Sequence, residues 1–411
     1  SIPSSLTKDQ LKAIEDIVDD FKDDKRMNRI IIGDVGSGKT IVAFLAIYAN
    51  YLAGYQSGLL APTEILALQH YENIKKILNI NIALLTSSTK KTERKKILEK
   101  LKNNEIDCII GTHSIINEEV TFNNLGLVIT DEQHRFGVNQ RKNLQNKGIN
   151  VDVLYMSATP IPRTYALTIY GDMDISEIRT KPNGRKEVIT KLYKETELKN
   201  ALKLMLDEIK KGHQIYVISP LVEENENNDL YDVEKLKEKM DIAFNNKIPI
   251  EILHGKLKNK EKEAIMNNFK EGSTKILIST TVIEVGVDVK NATCIVIFNA
   301  ERFGLSTLHQ LRGRVGRNNL TSYCILISKY EKERLNVLTE SNDGFYISEK
   351  DFELRGSGNI FGTKQSGEIN FKIADIKTDL KILKQCNKDS EEFINNNIDT
   401  NFENNKYYQN I

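Results

Sequence analysis

Residues Gly33–Thr40 read "GDVGSGKT" and fit the pattern GxxxxGK[ST]. The apolar run "RIII" leads directly into them, and the helical pattern "IVAFLAIYAN" leads out. A loop in that position joins a strand to a helix, the context in which this pattern binds phosphate. Gly36 and Gly38 let the backbone wrap closely. With Gly33 and Ser37 they turn N–H groups towards an anion at a helix start. Lys39 is placed to reach β- and γ-phosphates, and the Thr40 hydroxyl to hold Mg²⁺. The competing reading is a plain glycine-rich turn, which the strand–loop–helix context disfavours.

More short apolar runs surround this loop: "SGLLAPT", "NIALLTSS", "DCIIGTH", "LGLVITDE" and "VLYMSATP". Apolar runs of about four to six residues suit strands covered on both faces, hence a parallel sheet. Helical patterns alternate with them, which predicts a doubly wound α/β domain. The rhythm then repeats in "KEVITKLY", "QIYVISPL", "IPIEILHG", "TKILISTT", "TCIVIFN" and "YCILISK". Between the two sets, "TKPNGRKE" (Thr180–Glu187) holds Pro, Gly and charge and reads as a linker. From about Thr339 the strand rhythm stops, and the rest reads as a small helical, polar appendage. The expected fold class is therefore α/β: two tandem doubly wound parallel-sheet domains, residues 1–179 and 180–338, with a C-terminal appendage, residues 339–411.

The run "LGLVIT" ends in "DEQHRFGVNQR" (Asp131–Arg141). Beside a phosphate loop, Asp131 is expected to hold Mg²⁺ and Glu132 to orient and deprotonate an attacking water. Acids are also common at solvated strand ends, so this pair alone is ambiguous. The second half carries "HQLRGRVGR" (His309–Arg317). Arg314 and Arg317 are three residues apart and would share one face of a helix. They read either as a solvated face or as arginine fingers that reach a γ-phosphate across a cleft.

Composition bounds the rest. The chain has 411 residues, 40% hydrophobic and 28% charged, enough for two or three packed domains. Its 58 basic and 57 acidic residues leave a net charge of +1, which neither advertises nor excludes nucleic acid. The four cysteines lie far apart with no CxxC, so neither a zinc site nor a disulfide framework is suggested, and a reducing cytoplasm is the plain reading. No apolar run approaches the ~18 residues of a membrane span. The chain starts at Ser1 without Met and is expected to be a piece of a longer protein.

Taken together, these motifs resemble superfamily 2 helicases with two RecA-like domains and, more narrowly, the RecG family of branch-migration helicases. "LTKDQ" (Leu6–Gln10) resembles the adenine-reading motif, with Gln10 as the reader. "APTEILALQH", "LLTSSTKKTER" and "GTHSIINEEV" resemble the DNA-facing segments of the first domain. "MSATPIPRT" resembles the segment that links hydrolysis to domain motion. "YVISPLVEE", "LHGKLKNKEKEAIMNNFKEG", "ISTTVIEVGVDV" and "ERFGLSTLHQLRGRVGR" follow in the family order. "DFELRGSGNIFGTKQSG" is similar to a motif shared by RecG and the transcription-repair coupling factor. The likeness spans Leu6 to about Leu380. DEAD-box RNA helicases carry Asp-Glu-Ala-Asp where this chain has Asp-Glu-Gln-His. Lys364 departs from the Arg more usual in the family and loses a bidentate donor.

The resemblance implies ATP and Mg²⁺ as cofactors. It implies Gln310, Arg314 and Arg317 in the catalytic set beside Lys39, Asp131 and Glu132, and Gly286 and Asp288 at the nucleotide. It implies DNA contacts from Thr63, Thr112, Ser279 and Thr280, each beside a strand end on one edge of its sheet. His134, Arg135, Ser157, Thr159, Arg355 and Gln365 would couple hydrolysis to movement. The expected protein is a cytoplasmic, nucleoid-associated, monomeric double-stranded DNA translocase that remodels stalled forks and Holliday junctions, with single-stranded DNA-binding protein as a possible partner. The N-terminal wedge domain of the family is expected to lie outside this chain. Rival readings are the motor of a coupling factor, an RNA helicase, and a nucleotide-gated DNA-binding scaffold without turnover.

Overall fold

The computed structural model describes residues 6–115, 117, 119–131, 151–158, 160, 173–180, 182, 186–220, 226–280, 289–316, 318–330, 333–355, 382, 385–386 and 389–390. The apolar runs of the first half form β1 (Asn28–Gly33), β2 (Gln56–Leu60), β3 (Ile82–Leu85), β4 (Cys108–Gly111), β5 (Leu125–Asp131) and β6 (Asp152–Ser157). With β7 (Asp174–Ile178) they make a seven-stranded sheet of order β3-β4-β2-β5-β6-β1-β7. Every pairing in it is parallel. The helices α1 (Lys8–Lys22), α2 (Lys39–Leu52), α3 (Glu64–Ile77) and α4 (Lys91–Lys102) alternate with its strands. Ile30, Ile31 and Ile32 of β1 are all fully buried, because helices cover both faces. Each such side chain contributes about 1.5–3 kcal/mol through burial.

The second sheet holds β8 (Val188–Lys194), β9 (Gln214–Ile218), β10 (Ile250–Leu253), β11 (Ile276–Ser279), β12 (Ala292–Ile297) and β13 (Ser322–Ser328). Their order is β10-β11-β9-β12-β13-β8, again parallel throughout. Its helices are α5 (Leu198–Lys210), α6 (Glu226–Ala243), α7 (Asn259–Glu271) and α8 (Leu305–Arg312). Two further helices, α9 (Glu333–Glu340) and α10 (Gly344–Arg355), pack on α8 and each other. Among the described residues no helix is long and apolar enough to cross a membrane.

β7 has no counterpart in the apolar runs. Its sequence "DISEI" is too polar to read as a covered strand. A polar cluster holds this edge instead. Arg29 of β1 forms a fork on Asp20 of α1, with contacts of 2.5 and 2.9 Å, and donates to Ser176 Oγ at 3.0 Å. The Ser176 hydroxyl donates in turn to Asp16 of α1.

In the second unit, Glu208 of α5 is 2% exposed. It accepts from Lys211 Nζ at 2.7 Å, His213 Nδ1 at 2.8 Å and Thr293 Oγ1 at 2.5 Å. Burial pushes its pKa up, but the bonds from Lys211, Thr293 and His213 outweigh it and hold the carboxyl below its ordinary value. A depressed carboxylate stabilises the fold above its unfolded pKa, and that stability is lost as pH falls through the folded value. Glu208→Gln should therefore lower stability by about 1–3 kcal/mol at neutral pH. The deficit should shrink on acidification below the ordinary value of about 4.3. Thermal unfolding of both proteins across that range checks this, and a pH-independent deficit would assign the loss to packing instead.

Candidate nucleotide site

The glycine loop leaves β1 at Gly33 and enters α2 at Lys39. Gly36 and Gly38 have φ of 77° and 86°, the left-handed region that side chains avoid. A Cβ on Gly38 would also collide with the Gln10 amide. Lys39 is 9% exposed, and its ammonium donates to the carbonyls of Gly33 at 2.6 Å and Asp34 at 2.9 Å. Among the described residues, Ser37 Oγ is buried without a hydrogen-bond partner. Thr40 follows Lys39 in the first turn of α2.

Gln10 is fixed from both ends of its amide. Its Nε2 donates to Ser37 O at 2.8 Å, and its Oε1 accepts from Thr7 N at 2.9 Å, half of the capping box of α1. It is 2% exposed and braces the loop directly.

Asp131 ends β5, in register with Met156 of β6, which is in register with Ile31 of β1. The Asp131 carboxylate therefore stands on the same sheet edge as the loop. Its Oδ2 lies 2.8 Å from Nε2 of His70 on α3. An ionised carboxylate only accepts, so this contact sets the His70 tautomer with the proton on Nε2. His70 also meets Phe44 of α2 edge-on, with ring centroids 6.3 Å apart. Ser157 ends β6, the strand next to β1, opposite Ile32, and is buried.

The four proposed DNA-contacting residues all follow strand ends. Thr63 caps α3 by accepting from Leu66 N, and Thr112 follows β4, the neighbour of β2. These two lie across β5 and β6 from β1, away from the loop. Ser279 ends β11 fully buried, and Thr280 is 5% exposed.

One expectation is corrected. Arg314 and Arg317 were expected to share a helix face, but α8 ends at Arg312. Gly313 caps it, Arg314 lies in the following turn, and Gly316 has φ of 74°. A left-handed residue between the arginines breaks any common helix. Gln310 is half-buried on α8. Glu132, His134, Arg135, Thr159, Gly286, Asp288, Arg317 and Gln365 lie outside the described residues. Arg355 is the last residue of α10.

α8 brings the second unit against the loop. Gly313 faces Val35 so closely that a Cβ would stand 2.7 Å from its side chain. His309 Nε2 lies 2.5 Å from Asp34 Oδ1. A cavity of about 420 Å³ opens beside this contact, lined by Asp34, Val35, Lys186, His309, Arg312 and Gly313 among others. Arg312 is 2% exposed, and burial holds its guanidinium below its ordinary pKa, opposed in part by the charges of Asp34 and Glu187. Asp34, His70, His309 and Arg312 carry no role in the sequence reading. Asp34 occupies a variable position of the loop pattern, and the two histidines acquire their carboxylate partners only through tertiary contacts.

Three family models match in succession: DEAD/DEAH box helicase over residues 7–167, helicase conserved C-terminal domain over 193–319, and ATP-dependent DNA helicase RecG, domain 3, C-terminal, over 341–410. The chain is 50% identical over 393 residues to the ATP-dependent DNA helicase RecG of Streptococcus pneumoniae, covering 94% of this chain and 59% of that protein. The Bacillus subtilis protein of the same name is 48% identical over 401 residues, with 96% and 59% covered. A solved structure of RecG bound to a three-way DNA junction superposes with a TM-score of 0.77 at 44% identity, over 93% of this chain and 51% of that one. Yeast Dbp5 bound to RNA and ADP BeF3 shares the fold at 19% identity and a TM-score of 0.57, over 84% of this chain and 92% of that one. The chain thus spans about 59% of the length of the curated relatives it matches.

Two parallel-sheet units, the first opening on a phosphate loop and the second closing over it with α8, have the RecA-like helicase fold. Within that class, the chain belongs to the RecG family of ATP-dependent DNA helicases.

Proposed function

We propose that the chain is the ATP-driven motor of a RecG-type enzyme that moves on double-stranded DNA and acts at forks and four-way junctions. The observation that carries this reading is the shared sheet edge. Lys39, the buried Ser37 hydroxyl and Asp131 stand there together, with α8 of the second unit against them. The motor divides into residues 1–179, 180–338 and 339–411. The first two bind nucleotide between them, and the third passes movement to DNA.

The donor set fits a magnesium nucleotide. The left-handed glycines leave room for phosphate oxygens, and the unpartnered Ser37 Oγ awaits a polar partner. Thr40 and Asp131 would hold Mg²⁺, whose contribution when bound is to offset phosphate charge. Few protein ligands are needed, since Mg²⁺ keeps waters and phosphate oxygens in its shell. Lys39 would exchange its two carbonyl acceptors for phosphate oxygens. Gln10, Gly286 and Asp288 would orient the nucleotide, and Glu132 would take the proton of the attacking water. Gln310, Arg314 and Arg317 would stabilise charge from the second unit.

Thr63, Thr112, Ser279 and Thr280 would meet the DNA backbone, and the two buried hydroxyls would act after a local shift or through adjacent N–H groups. Contacts of this kind carry little sequence information, which suits a motor. His134, Arg135, Ser157, Thr159, Arg355 and Gln365 would couple nucleotide state to movement. The working form would be a cytoplasmic, nucleoid-associated monomer, with single-stranded DNA-binding protein as a candidate partner.

ATPase rates with single-stranded, duplex and forked DNA and with RNA test this reading. The expected result is stimulation by duplex or forked DNA well above that by RNA. An ATPase indifferent to every DNA would overturn it.

A further inference from the structure

Arg312 donates through its guanidinium to His309 Nδ1 at 2.9 Å. Arginine has no acceptor, so Nδ1 must accept and the ring proton sits on Nε2. That Nε2–H then donates to Asp34 Oδ1 across the boundary between the two units. The three groups form one directed line: guanidinium, imidazole, carboxylate. All three residues are buried, at 2%, 4% and 3% exposure. The guanidinium is itself fixed by the Thr190 hydroxyl at 3.1 Å and by the carbonyls of Leu338 and Ser341 at 2.7 and 2.9 Å. At the other end, Asp34 Oδ1 also accepts from Val35 N at 2.6 Å, so the carboxylate shapes the loop it belongs to. The fit leaves no slack. A Cβ on Gly344 would stand 2.6 Å from His309 Nε2, 2.7 Å from Pro160 Cγ and 3.0 Å from Asp34 Cγ.

We infer that Arg312, His309 and Asp34 form a latch that registers α8 on the nucleotide loop, making His309 and Arg312 positioning residues for turnover. The inference rests on the ATPase reading above for its effect on rate, but not for the existence of the latch. In the proposed function, charge reaches the transferring phosphate from beyond the end of α8, so the register of α8 would set where it arrives. A shift of about 1 Å at such a site costs on the order of 10²-fold in rate. Arg312 acts only through His309. It is spent on setting the tautomer and tying α8 to β8 and to the carbonyls of Leu338 and Ser341.

Two kinds of measurement on the whole chain test this. Hydrogen exchange without nucleotide reads the latch itself: in His309→Ala, residues 33–40 in the other unit should exchange faster along with 305–312. Unchanged exchange at 33–40 overturns the latch, whatever the enzyme's activity. Steady-state kinetics with duplex DNA read its purpose. His309→Ala should lower kcat by about tenfold or more with nucleotide affinity within about threefold, since an effect confined to the transition state spares ground-state binding. Gly344→Ala keeps all three side chains and wedges them apart, so it should imitate His309→Ala, and the double variant should be no slower than the worse single one. Multiplying losses in the double variant, or a loss in nucleotide affinity alone, overturns the positioning role. Melting temperatures of each variant separate these outcomes from misfolding, because the exchange of 33–40 is compared only among variants that melt cooperatively. A parent without DNA-stimulated ATPase would defeat the proposed function and leave the exchange result to decide the latch.

Discussion

Glu132→Gln should lower ATP turnover by about 10²–10⁴-fold while ATP binding persists, the range that a positioned general base supplies. The amide keeps the size of the side chain and its hydrogen-bonding reach, and removes only the capacity to take a proton. The preceding residue, Asp131, is held by His70 at the end of a strand that opens on the phosphate loop. Glu132 is next along the chain, and the proposed function gives it the proton of the attacking water. Turnover in the DNA-stimulated assay and affinity for a fluorescent nucleotide should be measured side by side. A rate within about twofold of the parent would remove Glu132 from this role.

The second large effect is expected at the arginines beyond α8. Arg317→Ala should reduce turnover by at least about 10²-fold with nucleotide affinity little changed, because a finger acts on charge that develops in the transition state. Helix termination at Arg312 and the left-handed Gly316 add a condition. Two side chains on one helix face would be near-equivalent, and the left-handed Gly316 between these two removes that ground. Arg314→Ala and Arg317→Ala should therefore differ in rate, and matching losses in kcat from both would contradict that geometry. A loss seen only as weaker ATP binding would replace the finger by a ground-state contact.

The inner strands were legible because they are buried on both faces and so are written as short unbroken apolar runs, as in "RIII" and "LGLVIT". The phosphate loop was legible because left-handed backbone demands glycine and the anion demands lysine, at fixed spacing. β7 was not, since an edge strand held by Arg29, Asp16 and Asp20 needs no apolar code. The end of α8 was misjudged for a related reason. Residue spacing says which side chains share a face only while the helix continues, and Gly313 and Gly316 stop it. His70, His309 and Asp34 were invisible as a site because their partners lie 61 and 275 residues away along the chain. No local pattern encodes contacts at such separations.

The first turn of α1 has a mechanical consequence. Asp9 Oδ2 accepts from Arg179 N, Thr180 N and Thr180 Oγ1 at 2.9, 2.8 and 2.9 Å. One residue on, Gln10 holds the Ser37 carbonyl of the phosphate loop. A single helical turn thus ties the segment after β7 to the glycine loop. In the proposed motor, strain at the loop would pass through this one turn to Arg179 and Thr180.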